Sequence, residues 1–324
     1  MTRMLYGEVA GIPQPVSRIV QGIIQVDRSN EDAGFALLDS AFEAGINCVD
    51  TARIYGDADA VLGKWMRTRG IRDKVVVLAK CSHHNNLRNR VTPYDIGTDL
   101  HDTLAAMQTD YVDLLVLHRD DPSYPVEPIV DAFNQYHREG KIRAFGGSNW
   151  TTERLEQAHD YAIKSGQIPF SVSSPNFSLA EQVKEPWANC VSISGPAGKS
   201  ARNWYSANKM PLFTWSSMAG GFWSGNFRPD NLDEFSGYFE DLVKQCYCYP
   251  QNFQRLERAE ELAKAYGVTI PQIALAYVLH YPLNIFALVG SANTGELNAN
   301  IEALHLNLTT ADMEYLDLVR DSRN

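Results

Sequence analysis

Along the chain, short continuously apolar runs alternate with longer stretches in which apolar residues recur every three or four positions. The short runs are RIVQGII (18–24), INCVD (46–50), VVVLAK (75–80), VDLLVLH (112–118), IRAFGGS (142–148), IPFSVSS (168–174), MPLFTWS (210–216) and IFALVGS (285–291). Most lack the alternation of a half-exposed strand, so they predict strands covered on both faces, as in a parallel sheet. The stretches between them predict helices. One over 30–45 is expected to be capped by Asn30 and stopped by Gly45; others cover 57–70, 95–108, 126–140 and 151–166, the last closing on Gly166. Eight strands with helices between them match a closed (β/α)8 TIM barrel in the α/β class. An open doubly wound sheet is the rival, but Gly22 is followed by IIQV and not by a Gly-rich dinucleotide turn.

The length of 324 residues suggests two domains at roughly 150 residues each, yet α/β barrels reach this size as one unit. No linker, composition shift or charge block divides the chain, so one barrel domain over 1–324 is expected. A net charge of -10 argues against a non-specific nucleic-acid binder. Five irregularly spaced cysteines make no disulfide framework. The start lacks the apolar run of a signal peptide, and no run approaches the ~18 uninterrupted apolar residues of a membrane span. A cytoplasmic protein acting on a small molecule, with no nucleic-acid or membrane partner, is expected; its oligomeric state is not legible. Two stretches, CSHHNNLRNRVTPYD (81–95) and a poorly periodic, aromatic-rich one at 220–253, follow strand ends and are candidate pocket walls.

The polar residues that interrupt this pattern are the chemically informative ones. Asp50, Lys80 and His118 each end an apolar run, and Tyr55 follows Asp50 by five residues. In a barrel these side chains converge on one rim. A buried charge there needs a partner, which Asp50 and Lys80 supply to each other. Lys80 beside Tyr55 is expected to lower the phenol pKa from about 10 toward the working range, making it a general acid. His118 can offer a neutral N–H to a carbonyl oxygen. Such a set protonates an oxygen but brings no nucleophile, which fits carbonyl reduction with a hydride from elsewhere. Singly, each residue has a plainer reading as a cap, a snorkelling cation, a structural histidine or a packed phenol. Four such coincidences at consecutive strand ends favour function. A metal-dependent hydrolase using Cys81, His83, His84 and His118 is disfavoured, because adjacent histidines diverge on an extended segment and no carboxylate follows at ligand spacing. No metal is expected.

The stretch GINCVDTARIYG resembles the signature of the aldo-keto reductase superfamily, and VVVLAK and VDLLVLHRDDP continue the likeness nearly end to end. The resemblance implies a barrel preceded by a short N-terminal β-hairpin, a catalytic tetrad of Asp50, Tyr55, Lys80 and His118, and a nicotinamide dinucleotide as hydride source. It further implies that Ser148 and Asn149 hold the nicotinamide carboxamide, with Ser174 in place of the family's usual glutamine, and that Trp215 stacks on the ring. Ser216, Met218, Gly220 and Gly221 correspond to the loop that approaches the pyrophosphate. Gly22 also falls in the cofactor set. Family members that prefer the 2′-phosphorylated cofactor clamp it with a Lys and an Arg. Anchored on Asn300, which resembles the adenine-contacting residue, those positions hold Gly290 and Glu296 here, so NAD(H) is expected over NADP(H), although Ser291 and Asn293 remain able to hydrogen-bond a phosphate. Ile24, Trp187, Phe222 and Trp223 are the candidate substrate walls. A cofactor-binding regulatory subunit with little turnover is the alternative function.

Overall fold

A computed structural model describes residues 3–323. Eight strands form a closed barrel: β3 (Ile19–Gly22), β4 (Cys48–Asp50), β5 (Val76–Cys81), β6 (Val112–Leu117), β7 (Ile142–Ser148), β8 (Val172–Ser174), β9 (Leu212–Thr214) and β10 (Ile285–Val289). Each pairs in parallel with its neighbour in sequence, and β10 closes against β3. Ahead of them, β1 (Tyr6–Gly7) and β2 (Val16–Ser17) form an antiparallel hairpin.

Side chains alternate across each strand, so one parity fills the barrel and the other meets the helices. Val20, Cys48, Leu78, Val116, Val172, Phe213 and Leu288 form the interior cluster, with Val9 and Val16 from the hairpin region packed into it. Phe213 and Phe286 stack there at 4.8 Å. The opposite parity, including Ile19, Val49, Val77, Leu115 and Phe145, is buried beneath the helices. Both faces of every barrel strand are therefore covered, which explains the continuous apolar runs. Because the hairpin region packs into the interior cluster, the strand ends that carry polar side chains face the opposite mouth.

The outer layer comprises α1 (Glu31–Glu43), α2 (Ala58–Arg69), α3 (Pro93–Met107), α4 (Val126–Arg138), α5 (Thr152–Lys164), α6 (Lys199–Asn208), α7 (Tyr238–Tyr247), α8 (Pro250–Tyr266), α9 (Ile270–His280), α10 (Thr294–Ala303) and α11 (Thr310–Leu316). Thr151 caps α5 by accepting from the Arg154 N–H, and Gly70 ends α2 with a left-handed φ of 63°. No single helix among the described residues is long and apolar enough to cross a membrane.

Three expectations are corrected. Asn30 precedes α1 but its side chain makes no capping bond there; the capping box lies one turn earlier, where the Asp27 carboxylate accepts from the Ser29 and Asn30 N–H groups of the 3-10 turn Arg28–Asn30 and the Asn30 side chain accepts from the Asp27 N–H. The sixth and seventh strands shrink to Val172–Ser174 and Leu212–Thr214, since most of each apolar run serves as connection. The stretch at 220–253 is not only loop: α7 forms within it, burying Val243, Cys246 and Tyr247.

Candidate active site

Parity assembles the site. The alternation that buries Cys48, Leu78 and Val116 inside the barrel turns Asp50, Lys80 and His118, two residues on, toward its mouth. The same step leads from Val172 to Ser174, from Phe213 to Trp215 and from Leu288 to Gly290. Strand pairing sets neighbouring ends level: Gly22 lies beside Asp50, and Ser148 beside Ser174. Tyr55 stands in the turn after β4, closed by its N–H donating to the Ala52 carbonyl at 2.8 Å.

Asp50 and Lys80 are almost fully buried, 5% and 3% exposed, and form a direct ion pair. The Lys80 ammonium also donates to the Thr51 carbonyl at 3.3 Å and lies 3.5 Å from the Tyr55 hydroxyl. The His118 ring meets Tyr55 edge-on at 6.1 Å and His83 at 4.8 Å, and its Nδ1 is buried with no hydrogen-bond partner among the described residues. Burial raises the Asp50 carboxyl pKa even against the pull of Lys80. Burial works to lower Lys80, but Asp50 and Tyr55 outweigh it and hold the ammonium protonated. His118 is pushed far below the usual histidine range by burial and by Lys80, so its ring is neutral.

The Tyr55 phenol departs from expectation. Lys80 does pull its pKa down, but burial pushes up more strongly and the balance lies above 10. The charge is visible in the sequence; the desolvation that outweighs it is not.

Around this group lies a cradle suited to a nicotinamide dinucleotide. The Ser174 hydroxyl and Trp215 Nε1 are buried at the mouth with no partner among the described residues. Ser148 donates to the Ser174 carbonyl at 2.8 Å, and Asn149, at a φ of 60°, donates to the His118 carbonyl at 3.2 Å and accepts from Val191 N–H at 3.1 Å. Ser216, Ala219, Gly220 and Gly221 all have positive φ, bending the backbone after β9 into a tight turn of the kind that presents N–H groups to an anion. A Cβ on Gly221 would meet nothing within 4 Å, so that side of the turn is open. Met218 packs half-buried under the turn. Asn300 donates to the Ser291 hydroxyl at 3.1 Å. The Glu296 carboxylate accepts from the Ala292 N–H at 2.9 Å and the Asn293 amide at 3.0 Å, beside exposed Gly290. These orphaned donors and this turn fit the cofactor.

The wall residues divide. Ile24 and Trp187 are 51% and 41% exposed, and Trp187 donates to the Tyr238 hydroxyl at 2.7 Å. Phe222 and Trp223 are fully buried, Phe222 packing on Phe253, so they line no open pocket and that expectation is corrected. Of the residues in the metal reading, His84 has both ring nitrogens engaged, one on the Asp120 carbonyl and the other on the Arg90 N–H. One residue that sequence reasoning passes over is Arg119, directly after His118 and only 5% exposed. Adjacent Asp120 and Asp121 disguise it, because they look like its partners; the structure gives Asp120 to Arg154.

Compared with known proteins, residues 18–321 match the model of the aldo/keto reductase family. A probable aryl-alcohol dehydrogenase of Saccharomyces cerevisiae is 27% identical over 90% of this chain and 88% of its own. An NADP(+) aryl-alcohol dehydrogenase of Phanerodontia chrysosporium is 25% identical over 89% and 76%. An aldo-keto reductase of Bacillus subtilis is 24% identical over 91% and 85%.

Proposed function

The chain belongs to the aldo/keto reductase family, and on that premise we propose that it reduces aryl aldehydes with Tyr55 as proton donor. It is an oxidoreductase that interconverts carbonyl compounds and alcohols with a nicotinamide cofactor. The relatives carry enzyme names, and none favours a regulatory subunit. The observation that carries the residue assignment is the buried Asp50–Lys80 pair with the Tyr55 hydroxyl 3.5 Å from the ammonium.

When bound, the cofactor supplies the hydride. The chain's own residues manage the proton. Tyr55, kept protonated by burial, donates to the carbonyl oxygen. Lys80 stabilises the phenolate that remains, and Asp50 holds the ammonium in place and charged. Neutral His118 donates to the same oxygen and orients it. An aryl substrate is supported by the names of the relatives and by the exposed Trp187 ring over the Arg119 guanidinium. Tyr55→Phe is expected to lower kcat by about 10²–10⁴ while cofactor binding, followed by protein fluorescence, stays near wild type. Turnover within tenfold of wild type would refute the assignment.

NADH is proposed to serve at least as well as NADPH. Residues 285–303 contain no Lys or Arg, and the Glu296 carboxylate heads α10. A carboxylate there repels a ribose phosphate and can accept from ribose hydroxyls. One relative is named for NADP(+), so the comparison pulls the other way. The kcat/KM ratio for the two cofactors tests it, with Glu296→Arg expected to move preference toward NADPH. A tenfold wild-type preference for NADPH would overturn it.

A further inference from the structure

We propose that Arg119 reads a carboxylate on the substrate, so that the enzyme prefers aldehydes carrying an anionic group; this rests on the carbonyl-reducing reading above. Arg119 sits at the barrel mouth directly after His118, and its charge is felt at Tyr55, His118, His83 and His84. Its side chain is almost wholly buried, yet among the described residues it makes no ion pair within 4 Å. Its one hydrogen bond among them is from Nη1 to the Cys190 sulfur at 2.9 Å, a weak acceptor, and burial holds that thiol neutral. The guanidinium also lies over the exposed Trp187 ring at 5.6 Å.

A desolvated cation without a counter-ion is costly, and the carboxylates that follow Arg119 in sequence or flank its contacts have other partners. Asp120 pairs with Arg154, Asp121 accepts from Ser123 and Asn89, and Glu185 accepts from the Cys190 backbone N–H. Asp50 belongs to Lys80. His83 and His84 are held neutral, mainly by burial, and add no negative charge. Arg119 thus stands at the mouth with no ionic partner among the described residues, in a chain of net charge -10. A guanidinium presents parallel N–H groups that match a carboxylate, and Trp187 offers a face for the ring that bears it. An anionic aryl aldehyde completes the pairing that the protein leaves open.

The test compares 2-, 3- and 4-carboxybenzaldehyde with their methyl esters, reading kcat and KM for each. At least one acid is expected to exceed its ester in kcat/KM by roughly ten- to hundredfold, chiefly through KM. Arg119→Met is expected to collapse that ratio toward one, and Arg119→Lys to retain part of it. Benzoate should inhibit wild-type reduction of 4-nitrobenzaldehyde competitively while benzamide does not, a measurement that needs no variant to fold. Esters turned over with no preference for any acid, or a preference that survives Arg119→Met, would overturn the role of Arg119 alone. Failure to turn over any aldehyde would instead overturn the proposed substrate class on which it rests.

Discussion

At the level of single residues, the site is governed by competition between burial and charge. The pKa values of Tyr55, Asp50 and His118 all move toward the neutral form under burial, whereas that of Lys80 moves toward the charged form because Asp50 and Tyr55 face it. Lys80→Met removes the main downward pull on the phenol and on Asp50, so both pKa values rise further. The alkaline limb of alcohol oxidation, which needs ionised Tyr55, should therefore shift upward; an unchanged profile would count against the pairing. His118 gives a second pH prediction. Its folded pKa lies far below the ~6.5 of an unfolded chain, so the unfolded state takes up the proton first. Stability is then lost as pH falls below about 6.5. His118→Gln should flatten that loss in urea midpoints between about pH 7 and 5, leaving the smaller share from His83 and His84. Asp50, Lys80 and His118 were legible as strand-end interruptions and Tyr55 by its place five residues after Asp50, but the direction of the phenol shift was not, since desolvation is set by neighbours distant in sequence.

At the level of elements, close approach decides which helix and strand residues can vary. Gly63 lies mid-helix in α2, where alanine would ordinarily gain up to about 1 kcal/mol. A Cβ there would stand 2.2 Å from the Met107 carbonyl oxygen of α3, a backbone atom that cannot turn aside. Overlap wins, and Gly63→Ala should destabilise by about 1–3 kcal/mol in urea denaturation. The α3 start offers a contrasting case. Thr92 and Asp95 form a reciprocal capping box, so Thr92→Ala should cost about 1 kcal/mol without touching catalysis. The helix at 151–166 was legible from cap and stop residues. The capping box at Asp27 was not, because an acidic residue three positions earlier closes a preceding single turn. Nor was α7, whose buried face of Val243, Cys246 and Tyr247 is too short a stripe to show periodicity among its aromatic neighbours.

For the whole molecule, closure of the barrel converts eight separate strand ends into one mouth, with the hairpin region packed into the interior cluster. A cofactor seated in that mouth binds only the folded chain. At about 100 times its dissociation constant it should add ~2.7 kcal/mol, raising the thermal midpoint by roughly 4 °C for a chain of this length. No shift with either nicotinamide dinucleotide would count against the cradle. The sequence alone determined the order of strands and helices, the barrel class and the polar residues at strand ends, because periodicity and strand parity are local properties that survive without knowledge of the partners. Only tertiary structure decided that Phe222 and Trp223 are core, that Glu296 spends both oxygens on its own turn, and that Asp120 pairs with Arg154 and leaves Arg119 with no ion-pair partner among the described residues. Burial and charge balance are sums over neighbours that the chain brings together from far apart, and no window of sequence contains them.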